Sequence, residues 1–375
     1  MSTKKESPRS TKRFGSYALL AVVGGIAVGG AYFGAPALLG VSYLSEAASS
    51  SVVAVGAPAV PPLDTLEYDS RLLGLAGVAT SSPWYVAYLQ GTTTASTTEK
   101  RPLWPTRAAY PRDSRALLPF NRIVAYYGNF YSKQMGVLGE YDEATVLEKL
   151  RQEVAAWEAA DPSTPVVPAI EYIDVTAQGS AGKDGKYRLR MPDTQVDKAI
   201  EMAKKINAIV ILDIQVGLST IQDELPHLDT YWAMPQVHLA LDPEFAMHNG
   251  TPPGRVIGSM SAADINYAID YLSAIVREHN LPPKILVVHR FTEDMVTGYR
   301  AIRPTPEVQV VVQMDGWGSP QRKKNTYNTV VYPEPVQFTG LKLFYKNDLK
   351  EDPPRLLTPR EILDLTPSPS FIQYQ

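Results

Sequence analysis

The chain has 375 residues, 45% hydrophobic and 20% charged, enough for a full core in one large domain or two small ones. A net charge of −3 gives no electrostatic case for nucleic acid, and no nucleic-acid-binding motif stands against that. The absence of cysteine rules out disulfides, a thiolate nucleophile, cysteine-ligated zinc and a lipid-attached N-terminal cysteine.

Lys4, Lys5, Arg9, Lys12 and Arg13 precede a charge-free apolar stretch at 14–45. About 20 apolar residues cross a bilayer, whereas a cleavable signal has an apolar region of only about 7–15, so an uncleaved signal-anchor is expected at 14–44, with cleavage near Ala47 or Ala48 as the alternative. The basic tail, 1–13, is then cytoplasmic and everything after the anchor lies outside. Gly25/Gly29 and Gly30/Gly34 have the small-xxx-small spacing that lets two membrane helices pack, which makes weak dimerisation through this helix a candidate contact. Small residues and prolines at 45–65 read as a flexible linker. Residues 66–120 show little periodicity and are expected to lie irregularly against the following domain, with an exposed loop at the TTTASTT run, 92–98.

From 121 to 375 the pattern is apolar strand, polar C-terminal end, helix, repeated. That is the sequence form of a (β/α)8 TIM barrel, with chemistry at the strands' C-terminal ends. The expected strands are RIVAYYGN (122–129), VVPAIEYI (166–173), AIVILDIQ (208–215), QVHLALDPE (236–244), RVIGSM (255–260), KILVVHRF (284–291), VQVVVQMDGW (308–317) and GLKLFYKN (340–347). Helical spacing marks helices after Asp142 and near Asp193. Capping boxes at Ser261/Asp264 and Thr358/Glu361 start two more, the second taken as the last element of the chain.

Side chains alternate along a strand, so Asp213 with Gln215, Asp242 with Glu244, and Gln313 with Asp315 each share a face near a strand end. Burying such carboxylates for packing alone is costly, which makes a site at the barrel mouth the first expectation. Two coupled carboxylates, Asp242 and Glu244, would let one hold a proton as general acid while the other stays charged, the division glycoside hydrolysis needs. Asp315 is a third catalytic candidate, although it could simply cap the Gly316–Gly318 turn. Tyr127, Glu171, Asp213, Gln215, His289, Gln313 and Trp317 are candidate substrate-binding residues, although Asp213 and Gln215 could simply close a polar layer with Glu171 inside the barrel. His289 could equally be a strand-end histidine bonded to a carboxylate, and Trp317 a ring packed in its loop. Lys342 and Lys346 are unusual on a barrel strand and would neutralise the acidic mouth. Arg290 should face the helices and pair with an acid.

The D-x-E at the end of the fourth strand, with AYYGNF at the end of the first, resembles the chitinase-like glycoside hydrolases of family eighteen. That resemblance implies a barrel with Glu244 as acid and Asp242 as the carboxylate steadying a substrate-assisted intermediate. It departs from the family at Ala240, where the first Asp of the motif would stand, at Pro243, and at His289-Arg290 in place of a Tyr-Asp pair. Residues 122–375 also resemble a group of hypothetical bacterial membrane-attached proteins without known activity. The expectation is a membrane-anchored, extracytoplasmic glycoside hydrolase-like protein acting on a glycan or cell-envelope polysaccharide, with no cofactor. One rival is a metal-dependent hydrolase using Asp213, Asp242, Glu244, His289 and Asp315, although no H-x-H pair is present. Another is a non-catalytic glycan- or protein-binding surface module.

Overall fold

The computed structural model describes residues 60–92 and 100–375. The expected basic tail, the membrane segment at 14–44, most of the linker and the threonine-rich loop at 93–98 lie outside the described residues. Among the described residues no helix is long and apolar enough to cross a membrane.

Eight parallel strands close into a barrel: β1 (Arg122–Gly128), β2 (Val166–Ala177), β3 (Ile209–Ile214), β4 (Val237–Leu241), β5 (Lys284–Arg290), β6 (Val308–Met314), β7 (Phe338–Leu343) and β8 (Phe371–Tyr374). Closure comes from β8 pairing with both β7 and β1, Phe371 standing opposite Gly340 and Ile123. The fold is thus the expected (β/α)8 barrel, with two corrections to its strands. RVIGSM is not the fifth strand: only Met260–Ser261 is extended, paired with Val296–Thr297 in a separate two-stranded sheet. Gly258 explains this, because a Cβ there would collide with the carbonyls of Ala246 and Pro243, so the segment is pressed against the turn after β4. The predicted sixth, seventh and eighth strands are therefore β5, β6 and β7. The true eighth strand is the four-residue FIQY near the chain end, and the helix capped by Thr358 and Glu361, Pro359–Leu363, precedes it instead of closing the chain.

The barrel has two apolar compartments, set by alternation. Val124, Val210, Leu212, Leu239, Leu286, Val310 and Ile372 point outward and pack against the helices. Among these helices, α3 (Glu143–Ala160), α4 (Asp193–Lys204) and α5 (Ala262–Glu278) are the longest. Trp157 of α3 is fully buried, with its indole N–H donating to Tyr374 Oη of β8 at 3.0 Å. Each such side chain contributes about 1.5–3 kcal/mol by leaving water. Inward-facing Ile123, Ile209, Ile285, Val287, Val311 and Phe371 fill the lower lumen.

Residues 66–120, expected to be irregular, instead hold α1 (Thr65–Leu75) and α2 (Pro83–Leu89). Asp64 caps α1 by accepting from the backbone N–H of Glu67 at 3.0 Å, and Pro83 opens α2 behind Ser82. Tyr68 and Leu72, one turn apart on α1, join the lumen cluster with Leu118. Gln309 brackets the Leu118 peptide, donating to its carbonyl at 2.6 Å and accepting from its N–H at 3.2 Å. The segment thus plugs the end of the barrel opposite the strands' C-termini.

Candidate active site

The same inward faces that are apolar below become polar above. From β1 to β8 they present Tyr127, Glu171, Asp213, His289, Gln313, Lys342 and Gln373, all buried. Gln215, Asp242 and Asp315 stand just past the ends of β3, β4 and β6 and are buried with them. Glu244 and Trp317 are the half-exposed members. All ten residues singled out from sequence converge on the C-terminal end of the barrel. Lys342 was expected as a neutralising charge only, and Gln373 was missed because its strand was.

His289 is the hub. Its Nδ1 lies 2.8 Å from Asp315 Oδ2 and its Nε2 lies 3.2 Å from Glu171 Oε1. Burial alone would push the imidazole pKa down, but Asp315, with help from Glu171 and Asp213, holds it well above the usual value. With a carboxylate at each nitrogen the ring is an imidazolium donating twice. Lys342 Nζ adds a second cation 3.1 Å from Asp315 Oδ1, sitting 3.9 Å from the centre of the Tyr127 ring. Burial works to raise the Asp315 pKa, yet Lys342 and His289 outweigh it and hold the carboxyl below its usual range.

The other carboxyls go the opposite way. Asp213 accepts from Tyr127 Oη at 2.8 Å, and burial, with Asp242 and Glu171 adding and His289 opposing, pushes it up to about 8. Asp242 is raised, chiefly by burial. Glu244 is pushed up to about 8, first by burial and then by the charges of Asp242 and Asp315. Burial and the Asp213 charge likewise hold the Tyr127 phenol well above its usual pKa. Five carboxyls share this end of the barrel with two cations, and protons on Asp213 and Glu244 reduce the excess negative charge to one.

Asp242 and Glu244 do not share a strand face as expected. β4 ends at Leu241, and Pro243–Phe245 forms a single 3-10 turn that Asp242 caps, its Oδ1 accepting from the Glu244 N–H at 3.2 Å. Proline at the first position of that turn supplies no ladder donor, so the strand stops there. Asp242 Oδ2 instead accepts from Gln215 Nε2 at 3.3 Å, and that amide also reaches Tyr127 Oη at 3.2 Å. Asp315 does not act as a cap of the glycine turn either. That loop is held by Asp348, which accepts from the Gly318 N–H at 2.9 Å and pairs with buried Lys323 at 3.1 Å. Trp317 in this loop has Arg322 and Lys350 about 6 Å from its ring centre. Arg290 faces outward and pairs with Glu334 at 2.6 Å, while Lys346 lies on the surface beside Glu140 at 2.8 Å.

Asp242, His289 and Asp315 each place one ligand-type atom within 4.8 Å of the others. Both ring nitrogens of His289 already face carboxylates, Asp315 already pairs with Lys342, and Asp242 accepts from Gln215 and the Glu244 N–H, so each of the three already has partners within the protein. Glu171 Oε2, Asp213 Oδ1 and both amide atoms of Gln313 and Gln373 have no hydrogen-bond partner among the described residues. These atoms are themselves buried, so the unused capacity lies beneath the mouth and not on its surface.

No family model and no curated protein matches the chain. Solved structures do match at low identity. "Cellulase Cel5C_n" is 12% identical over 63% of this chain and 69% of its own, with a TM-score of 0.38. A ruminal GH26 endo-beta-1,4-mannanase is 10% identical over 68% of this chain and 58% of its own, with a TM-score of 0.30. Neither is a chitinase of family eighteen. At such scores the chemistry has to be argued from the side chains alone.

Proposed function

We propose that this protein is a glycoside hydrolase acting on a glycan or cell-envelope polysaccharide, held at the membrane by residues 14–44 with its barrel outside the cytoplasm. The supporting observation is the split among the mouth carboxyls: Glu244, half-exposed, keeps its proton to about 8, while Asp315 is held ionised between His289 and Lys342. Carboxyls whose surroundings push their pKa values apart mark acid and base assignments. Glu244 would protonate the departing glycosidic oxygen, and Asp315 would face the positive charge that develops on the sugar ring. Asp242, tied to Gln215 and to the Glu244 backbone, would place Glu244 and keep its proton on. Trp317, half-buried at the rim, would meet a sugar face, while Tyr127, Gln313 and Gln373 lie buried beneath it and would hold the acidic residues in place.

A second reading, a non-catalytic glycan- or protein-binding module, is favoured by one observation: Glu171, Asp213, His289 and Gln313 have no exposed surface, so this polar layer can serve the fold while the rim alone meets a ligand. The test assays the full-length protein in detergent for release of reducing ends from chitin oligomers, peptidoglycan and mixed glycans. Glu244→Gln runs alongside, with EDTA in a parallel set. Turnover that survives EDTA and vanishes in Glu244→Gln supports the hydrolase. Turnover lost in EDTA would replace it with a metal-dependent hydrolase. Equal binding by both forms with no release from any glycan would put the binding module in front.

A further inference from the structure

The end of the barrel opposite the site carries an unusual surface. Among the described residues, five of the ten exposed large apolar side chains, Val60, Leu66, Val86, Leu103 and Tyr110, lie on the short segment that plugs this end. Leu66 is the most exposed of all, at 65%. On α1 it stands two residues from Tyr68, hence on the far side of the helix from the ring that enters the lumen. α2 packs beside α1 through a 3.0 Å bond between Ser70 Oγ and Tyr85 Oη. One turn of α2 lines a shallow cleft with Trp84 and Tyr88, closed on its other side by Arg101 and Trp104. Arg107 stacks 4.2 Å over the Tyr88 ring, and Lys100, Arg101 and Arg107 are all exposed.

Aliphatic side chains flanked by Trp, Tyr and exposed Arg or Lys are the composition that sits at a lipid headgroup boundary. The described chain also begins inside this patch, at Val60. Upstream, the apolar stretch ends at Ser45, and residues 46–59 can span at most about 50 Å when fully extended. The patch is therefore tethered close to any bilayer the apolar stretch occupies.

We propose that this layer is a membrane-contact face, resting its apolar and basic side chains on the outer headgroups of the bilayer that anchors the chain. The proposal depends on the anchor reading of residues 14–44. It orients the molecule: the plugged end faces lipid, and the carboxyl-lined mouth points away from the membrane toward extended polymers.

The absence of native cysteine makes single-cysteine labelling clean. Full-length Leu66→Cys, Val86→Cys and Leu103→Cys would carry an environment-sensitive fluorophore in phosphatidylethanolamine–phosphatidylglycerol vesicles. Val256→Cys and Leu349→Cys, on loops after β4 and β7 at the mouth, serve as controls. Spin-labelled lipid should quench the three patch labels severalfold more than the two controls. Equal quenching on both faces, or none on the patch while the protein floats with the vesicles, would overturn the proposal. A blue-shifted patch label without lipid quenching would overturn it in favour of a protein partner. Failure to float would remove the anchor and the proposal together, and circular dichroism of each variant separates these outcomes from unfolding.

Discussion

His289 and Asp315 meet at 2.8 Å across adjacent strands β5 and β6, with the other nitrogen of the same ring 3.2 Å from Glu171 on the opposite side of the lumen. Both carboxyls are buried, and the imidazolium, together with Lys342 beside Asp315, offsets the charge they carry there. Removing one partner of such a group strands the other and costs about 3–5 kcal/mol. His289→Ala should lower stability by about that amount, read from the urea midpoint at pH 7. A loss under about 1 kcal/mol, the scale of an exposed pair, would mean the ring is neutral and dispensable.

Stability should fall as pH rises across the neutral range. Asp213 and Glu244 have folded pKa values raised to about 8, against about 4 in an unfolded chain. A raised group contributes stability that is complete below the unfolded pKa and is lost as pH climbs through the folded one. Asp315, with its pKa lowered, acts in the opposite sense and weakens the fold only at low pH. The maximum should therefore lie on the acid side of neutrality. Asp213→Asn or Glu244→Gln should flatten the decline between about pH 4 and 8 in denaturation series, relative to the unaltered protein. An unchanged slope in both would show that neither carboxyl holds its proton.

If Glu244 is the acid, activity should fall as pH rises through about 8, and Glu244→Gln should cost about 10²–10⁴-fold in kcat. The low-pH limb belongs to Asp315. Lys342→Met removes the larger of the two charges that keep Asp315 ionised and one that also lowers the Glu244 pKa, so both limbs should move to higher pH. A pH–rate profile of the variant with both limbs in place would detach Lys342 from the site's chemistry.

The sequence made the lumen legible because alternation is a strict two-residue period: the polar faces of β3, β4 and β6 were assigned from it, and all ten site residues reach one end of the barrel. Tertiary contacts decided the rest. RVIGSM has strand composition, yet Gly258 is needed where the chain presses on the turn after β4. FIQY is too short to show a period, and only closure between β7 and β1 makes it a strand, which is why Gln373 went unread. α1 was obscured because Leu66, Leu73 and Leu75 spread apolar side chains around the helix, and Tyr68 and Leu72 gain their meaning only from the barrel they plug. The pairing of Asp242 with Glu244 failed at Pro243, where the reading continued the strand one turn too far.

The loop after β1 should be the least tolerant part of the site's frame. Gly136 has φ +106, and a Cβ there would collide with the backbone carbonyl of Tyr127 and press on Gly128, backbone atoms that cannot rotate away. Tyr127 is the residue that bonds Asp213 and Gln215 and lies under the Lys342 ammonium. In Gly136→Ala the strained φ alone costs about 1–3 kcal/mol, and relief of the collision must shift the end of β1. The expected result is a clear drop in Tm, together with faster hydrogen exchange at Tyr127 and Gly128 than at β5 or β6. A variant as stable as the original, with β1 equally protected, would show that the loop can move without disturbing the strand.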